Sequence, residues 1–301
     1  MQFDQLLSQI DQVPVMAPVH ARLLRMIQDA DVSAQELSEA ISGDPSLTAQ
    51  VLRLVNSAVY GMPRQIGTVS QAVLLLGFDT IAEQVLNYAR LALKDPAERA
   101  GPLDFRAFWQ HSVAVAAGAR VLARRAAVDD EEALFVAGLL HDIGRVLLAQ
   151  YLPDELERAL ERASRLRLPL YEAERQSIGF THCRLGECLA LRWDLPDLVV
   201  DAVAFHHEPD VTERHHLETR IIEAADILAK AMSLGSSGDP RVIPIPARTR
   251  ELLEIEADEM ESLMEAIRTA FNEVSAYVLG VLRGGEGPEG DGPATGRRKR
   301  T

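Results

Sequence analysis

Cysteine is scarce in this chain. Cys183 and Cys188 are its two cysteines, five apart and not a Cys-x-x-Cys pair. No disulfide framework is expected, and the pattern suits a reducing compartment. Long apolar runs are missing too. No uncharged apolar stretch approaches the ~18 residues a bilayer-spanning helix needs, so no membrane span is expected. The start, MQFDQLLSQIDQVP, lacks the basic and apolar regions of a signal peptide, which points to the cytoplasm. Positive charge is in deficit, with 31 Lys and Arg against 45 Asp and Glu, a net charge of -14. The chain as a whole is therefore a poor nucleic-acid binder, since phosphate contacts need a basic face. Strand-like alternation and a fixed-period repeat are also absent.

What is there is an ordinary globular composition, 47% hydrophobic and 25% charged over 301 residues, enough for one large domain or two modest ones. The periodicity is helical almost throughout, which predicts an all-α protein. Short helices are expected at 1–10 and 18–29. Ser33 and Glu36 form a capping box for a helix ending near Ser42. Asp44 followed by Pro45 starts another, expected to run to Tyr60 and Gly61. Thr68 with Gln71 caps a short helix that Gly77 ends, and a further helix covers 79–93. Asn56, Ser57 and Tyr60 read as local capping residues.

KDPAERAGPL, residues 94–103, breaks the pattern and sets a boundary between helical subdomains 1–100 and 101–234. Helices are expected beyond it at 104–126, 130–151, 153–167, 170–178, 182–192, 196–207 and 213–233. A loop at 235–246 leads to an amphipathic helix over about 257–282, which would pack on the body or on a second copy, a homodimer. The tail 284–301 carries RRKR and is expected to be disordered.

Residues 134–150, LFVAGLLHDIGRVLLAQ, are apolar on most sides yet carry His141 and Asp142. A buried carboxylate costs several kcal/mol unless a cation or hydrogen bonds compensate it. A metal ion is the economical partner. His111, His182, His206, His207 and Asp226 fall on separate helical patterns, so several helices can each bring one ligand to a common point. Adjacent residues lie about 100° apart on a helix, so His141 and Asp142 reach one ion only where the helix points across it or unwinds, which Gly144 would permit. Each residue has a plainer reading. A histidine on an apolar helix is more often a hydrogen-bonded core residue, His206 and His207 could be a polar helix end, and a buried Asp226 could be satisfied by hydroxyls or amides. His20, His215 and His216 read as surface or capping residues.

The segments FWQHSVAVA, GLLHDIGR, THCRLGE, AFHHEP and IIEAADILA, in that order, resemble the HD superfamily of metal-dependent phosphohydrolases. DPSLTAQVLRLVNSAVYG and IGTVSQAVLLLGFDTI narrow the resemblance to the HDOD domain, a bacterial signalling relative of those hydrolases. Together they cover about residues 13–234. The resemblance implies an all-helical fold of two packed subdomains and a regulatory role through signalling partners in trans, usually without catalysis. It also implies a ligand set. His111, His141, Asp142 and Asp226 match a single-metal HD site, and His182, His206 and His207 match the extra histidines of two-metal relatives. One or two divalent ions, Fe, Mn, Zn or Ni, would suit these donors. Two departures point away from cyclic di-GMP hydrolysis: Arg145 replaces the usual Lys, and HHEPDVTERHH stands where a GYP motif would follow. The alternatives are a phosphohydrolase acting on a nucleotide or cyclic dinucleotide, and a sensor that binds a nucleotide or metal without turning it over.

Overall fold

The computed structural model describes residues 3, 6, 7, 10, 26, 32–92, 101–239 and 241–283, with backbone alone for 86–92 and 277–283. The expected helices at 1–10 and 18–29, the break at 94–103, His20 and the tail with RRKR lie wholly or largely outside those residues.

Among the described residues every regular element is helical: α1 Ala34–Ser42, α2 Pro45–Val55, α3 Val69–Leu76, α4 Phe78–Ala92, α5 Phe105–Arg125, α6 Glu131–Leu140, α7 Ile143–Tyr151, α8 Pro153–Leu166, α9 Leu170–Ser177, α10 His182–Arg192, α11 Asp197–Phe205, α12 His216–Ala231, α13 Ala247–Leu252 and α14 Met260–Arg283, the last preceded by a 3-10 turn. The all-α reading is correct. No described helix is long and apolar enough to cross a membrane, and both cysteines are free thiols.

The caps follow the residue chemistry. Ser33 Oγ accepts from the Glu36 N–H at 3.2 Å while Glu36 Oε2 accepts from the Ser33 N–H at 2.8 Å. Asp44 Oδ1 accepts from the Leu47 N–H at 2.8 Å with Pro45 at the first helical position. Helix α2 stops at Val55, well before Tyr60, because Asn56 turns its side chain to another segment. Its amide donates to the Ile66 carbonyl at 3.0 Å and accepts from the Ile66 N–H at 2.7 Å. Asn56 thus caps α2 through its backbone N–H and also clamps the 57–67 loop with its side chain.

Helix α5 is the axis of the fold. Its run from Val113 to Ala119 is buried and made of small residues, so α6, α12 and α14 all approach it closely. One apolar cluster joins α5 to α7, α10, α11, α12 and α14. A second unites Leu37, Val51, Val69 and Ile81 with Trp109, Val113 and Phe135. The N-terminal helices therefore share a core with α5 and α6, and Trp109 Nε1 donates to the Gly43 carbonyl at 2.7 Å across that contact. Helix α14 lays Leu263 and Ile267 on the body, against α5. Residues 247–252, between the expected loop and the last helix, form the short helix α13 behind Pro246.

Asp44 is fully buried, and its Oδ2 has no partner. Burial pushes its carboxyl up to about 7, against the lowering effect of the Leu47 and Ser46 backbone. A folded value above the unfolded one, ~3.9, means stability falls as pH rises between the two and stays depressed above pH ~7. Asparagine caps a helix as well as aspartate but buries an unpaired amide. Asp44→Asn should therefore gain about 2 kcal/mol at pH 8 and nothing near pH 4. Urea melts at the two pH values check this, and an equal change at both would refute it.

Candidate metal centre

Five helices or helix ends converge on one buried cluster. Helix α5 supplies His111, the break between α6 and α7 supplies His141 and Asp142, α10 starts at His182, α11 ends in His206 and His207, and α12 supplies Asp226. The stretch 130–151 is therefore two helices rather than one. The chain unwinds at His141 and Asp142, with φ -102° and ψ 15° at Asp142, which lets adjacent side chains face the same point. Gly144 does not supply that freedom. It lies inside α7 and lets α7 touch α10, since a Cβ there would sit 2.0 Å from the His182 carbonyl oxygen.

All seven residues meet, and all but His207 are almost wholly buried. His111 Nε2 lies 3.0 Å from Asp226 Oδ1, and His141 Nε2 lies 3.3 Å from Asp142 Oδ2 and 3.9 Å from Asp226 Oδ1. Asp142 Oδ1 is 3.1 Å from His182 Nε2 and 3.5 Å from His206 Nε2. His207 stacks on Tyr171, ring centroids 4.7 Å apart.

The far nitrogens explain the orientation. His141 Nδ1 donates to the Gly138 carbonyl at 2.7 Å and His206 Nδ1 to the Ala202 carbonyl at 2.9 Å. A carbonyl only accepts, so each Nδ1 carries a proton and Nε2 is the ring nitrogen turned inward as the available donor. His182 Nδ1 is held at 2.6 Å by Glu174, which also accepts from the His182 backbone N–H at 2.8 Å. A second carboxylate or carbonyl behind each imidazole is how metal-ligating histidines are aimed. Despite the close approaches, His111 Nε2, His141 Nε2, His206 Nε2, His207 Nε2, Asp226 Oδ1 and both Asp142 oxygens lack a hydrogen bond of good geometry. So many buried orphans at one point fit a shared ion. His111, His141 and Asp226 offer one set of donors, and His141, Asp142 and His206 an overlapping one.

Charge at the centre is already part-compensated. Arg145, fully buried, sets Nη1 2.8 Å from Asp142 Oδ2 and donates to the Ser237 carbonyl at 2.9 Å. Lys230 donates to Asp226 Oδ2 at 2.8 Å, one turn along α12. Burial alone would raise both carboxyls. Arg145 with His141 and His182 instead holds Asp142 well below its ordinary range, and Lys230 with His111 does the same for Asp226. Burial pushes His206 down to about 4 and lowers His111 and His207, which keeps these rings neutral and able to bind a cation. His182 is raised well above its usual value, because Cys183, Glu174 and Asp142 together outweigh burial and Arg145. Tyr171, His207, Asp226, Lys230 and Arg241 line a cleft of about 80 Å³ that reaches the cluster.

Glu174, Cys183, Lys230 and Tyr171 belong to this neighbourhood but are not among the ligands that the resemblance implies. A buried carboxylate such as Glu174 on the otherwise polar α9 leaves no mark in the sequence. His215, expected at the surface, is only 25% exposed and sits 2.8 Å from the buried Asp201.

The HDOD domain matches residues 13–209. An uncharacterised protein of Treponema pallidum is 26% identical over 205 residues, 66% of this chain and 38% of its own length. Ribonuclease Y of Thermus thermophilus is 31% identical over 176 residues, 57% of this chain and 23% of its own. The chain thus spans well under half of these relatives. The crystal structure of the MmoQ response regulator from Methylococcus capsulatus superposes with a TM-score of 0.66 at 26% identity, covering 85% of this chain and 99% of that one. Taken with the helical architecture and the His-Asp centre at its core, these matches make the chain a member of the HDOD family.

Proposed function

We propose that this chain is a regulatory HDOD module that holds a divalent transition metal at the His111, His141, Asp142 and Asp226 cluster and signals by binding partner proteins rather than by catalysis. The observation behind the metal is the set of buried, unpartnered donor atoms, with His141 and His206 fixed as Nε2 donors by backbone carbonyls. When bound, such an ion would neutralise the carboxylates and lower the pKa of any water it retains. The cleft favours regulation over turnover. At about 80 Å³ it is far below the ~300 Å³ or more of ordinary ligand pockets, so a nucleotide or cyclic dinucleotide does not fit without opening. The Arg145 guanidinium also rests on Asp142, where a two-ion hydrolase would want the carboxylate free. Similarity to a response regulator supports the same reading.

The second reading, a metal-dependent phosphohydrolase on a nucleotide substrate, draws on the full histidine set and on the likeness to a ribonuclease. Elemental analysis of protein purified without chelator tests the first claim. It should show one or two transition-metal ions per chain, with Asp142→Ala and Asp226→Ala falling ~10-fold or more in affinity. Metal-free protein that takes up no Mn, Fe or Zn would sink it. Turnover of phosphodiesters at ordinary enzyme rates, ~1 s⁻¹ or faster, would replace it with the hydrolase reading.

A further inference from the structure

Four donor atoms on one side of the cluster lie within 4.8 Å of one another: those of His182, Cys183, His206 and His207. Three are the histidines of the HD-type pattern. The fourth, the Cys183 thiol, lies in the THCRLGE segment but is not among the ligands that the resemblance implies, and it changes the character of the site. Cys183 is buried in the first turn of α10, with Sγ 3.3 Å from His182 Nε2. The His206 and His207 Nε2 atoms beside it are buried and have no hydrogen-bond partner, so the thiol does not stand alone.

We propose that Cys183 is a metal ligand, and that with His182, His206 and His207 it forms a thiolate-imidazole centre for a soft divalent ion of the zinc class. This rests on the metal reading above and divides it into two unlike sites. His111, His141 and Asp226 offer nitrogen and oxygen only, the donor set of Mn or Fe. The Cys183 side offers three nitrogens and a sulfur, the closed four-donor set typical of zinc. Asp142 stands between them, its Oδ1 within 3.5 Å of both His182 and His206 Nε2.

The local chemistry accommodates the ion. On binding, the Cys183 S–H proton and the proton on His182 Nε2 leave to solvent, and the metal–sulfur and metal–nitrogen bonds form with no change of oxidation state. Arg145 Nη2 and Cys183 Sγ both approach His182 Nε2, at 3.4 Å and 3.3 Å. The Arg145 contact is long enough to yield, because Asp142 and the Ser237 carbonyl hold the other arm of the guanidinium. His182 needs no reorientation, since Glu174 already grips Nδ1 and leaves Nε2 inward.

Cobalt is the direct probe, because a thiolate ligand gives Co(II) a near-ultraviolet charge-transfer band that imidazole and carboxylate ligands do not. The full chain, stripped with chelator and titrated with Co(II) without oxygen, should develop this band. Cys183→Ser, a change of one atom, should abolish it and weaken zinc binding at this centre ~10-fold or more. Cys188→Ser and His111→Ala should keep it. Cobalt bound with no such band, or a band lost in Cys188→Ser instead, would overturn the thiolate centre while leaving a metal at His111, His141 and Asp226 intact. A chain that binds no cobalt at all would overturn both.

Discussion

Gly144→Ala should cost over about 3 kcal/mol of stability. Its Cβ would stand 2.0 Å from the His182 carbonyl oxygen, 2.8 Å from the His182 carbonyl carbon and 2.9 Å from the Gly186 nitrogen. All three are backbone atoms inside α10, so no side chain can swing away. Helices α7 and α10 must part by roughly 1 Å, since real contacts of this kind stay beyond ~3 Å. The separation would also draw His182 away from Asp142, so weakened metal binding should accompany the loss of stability. Gly61→Ala is the control. Gly61 has φ +55° with open space around its missing Cβ, and only the ~1–2 kcal/mol left-handed backbone cost applies. If urea melts place the two variants together, the close approach of α7 and α10 is wrong.

How much of this was legible in the sequence depended on whether a feature is local. The caps at Ser33, Asp44 and Thr68 are written in three or four residues, and the structure shows each of them. His111, His141, Asp142, His182, His206, His207 and Asp226 could be picked out because the same residue types recur at the ends or faces of successive helices. What brings them together is long-range and silent. The break at 141–142 falls inside a stretch, 134–150, whose helical pattern looks continuous in sequence, and the close approach of α10 to Gly144 is seen only in the fold. Glu174 and Lys230 are charged residues on amphipathic helices, where solvation is the ordinary fate. Only the fold reveals that Glu174 sits behind His182, whereas Lys230 beside Asp226 is an i, i+4 pair that helical spacing already places on one face. The capping role of Asn56 is local and was legible, while its side-chain partner Ile66, ten residues away across a loop, was not.

Arg145→Met should destabilise metal-free protein by about 3–5 kcal/mol, the cost of leaving a buried charge without its partner. Methionine keeps most of the volume, so the loss reports charge rather than a cavity. Asp142 would then face desolvation opposed only by imidazoles. Its carboxyl, now held well below the ordinary range because Arg145, His141 and His182 together outweigh burial, would rise. The sign of the pH dependence follows. Asp142 lowered in the wild type contributes stability above the unfolded carboxylate value, lost as pH falls through the folded one. In Arg145→Met that contribution is gone, so the deficit between the two proteins is largest near pH 8 and shrinks toward pH 4, where Asp142 can accept a proton. Adding Asp142→Asn to Arg145→Met should recover part of the loss, with a coupling of about 0.5–3 kcal/mol. Saturating Mn or Zn should shrink the Arg145→Met deficit, because an ion at the centre replaces the missing cation. Arg145→Lys should rescue in part, since one nitrogen, Nη1, meets both Asp142 Oδ2 and the Ser237 carbonyl, and an ammonium keeps the charge but not the planar guanidinium's second arm beside His182. An Arg145→Met protein as stable as wild type in chelator at pH 8 would mean that Asp142 is not ionised at the centre, and the charge argument for metal binding would go with it.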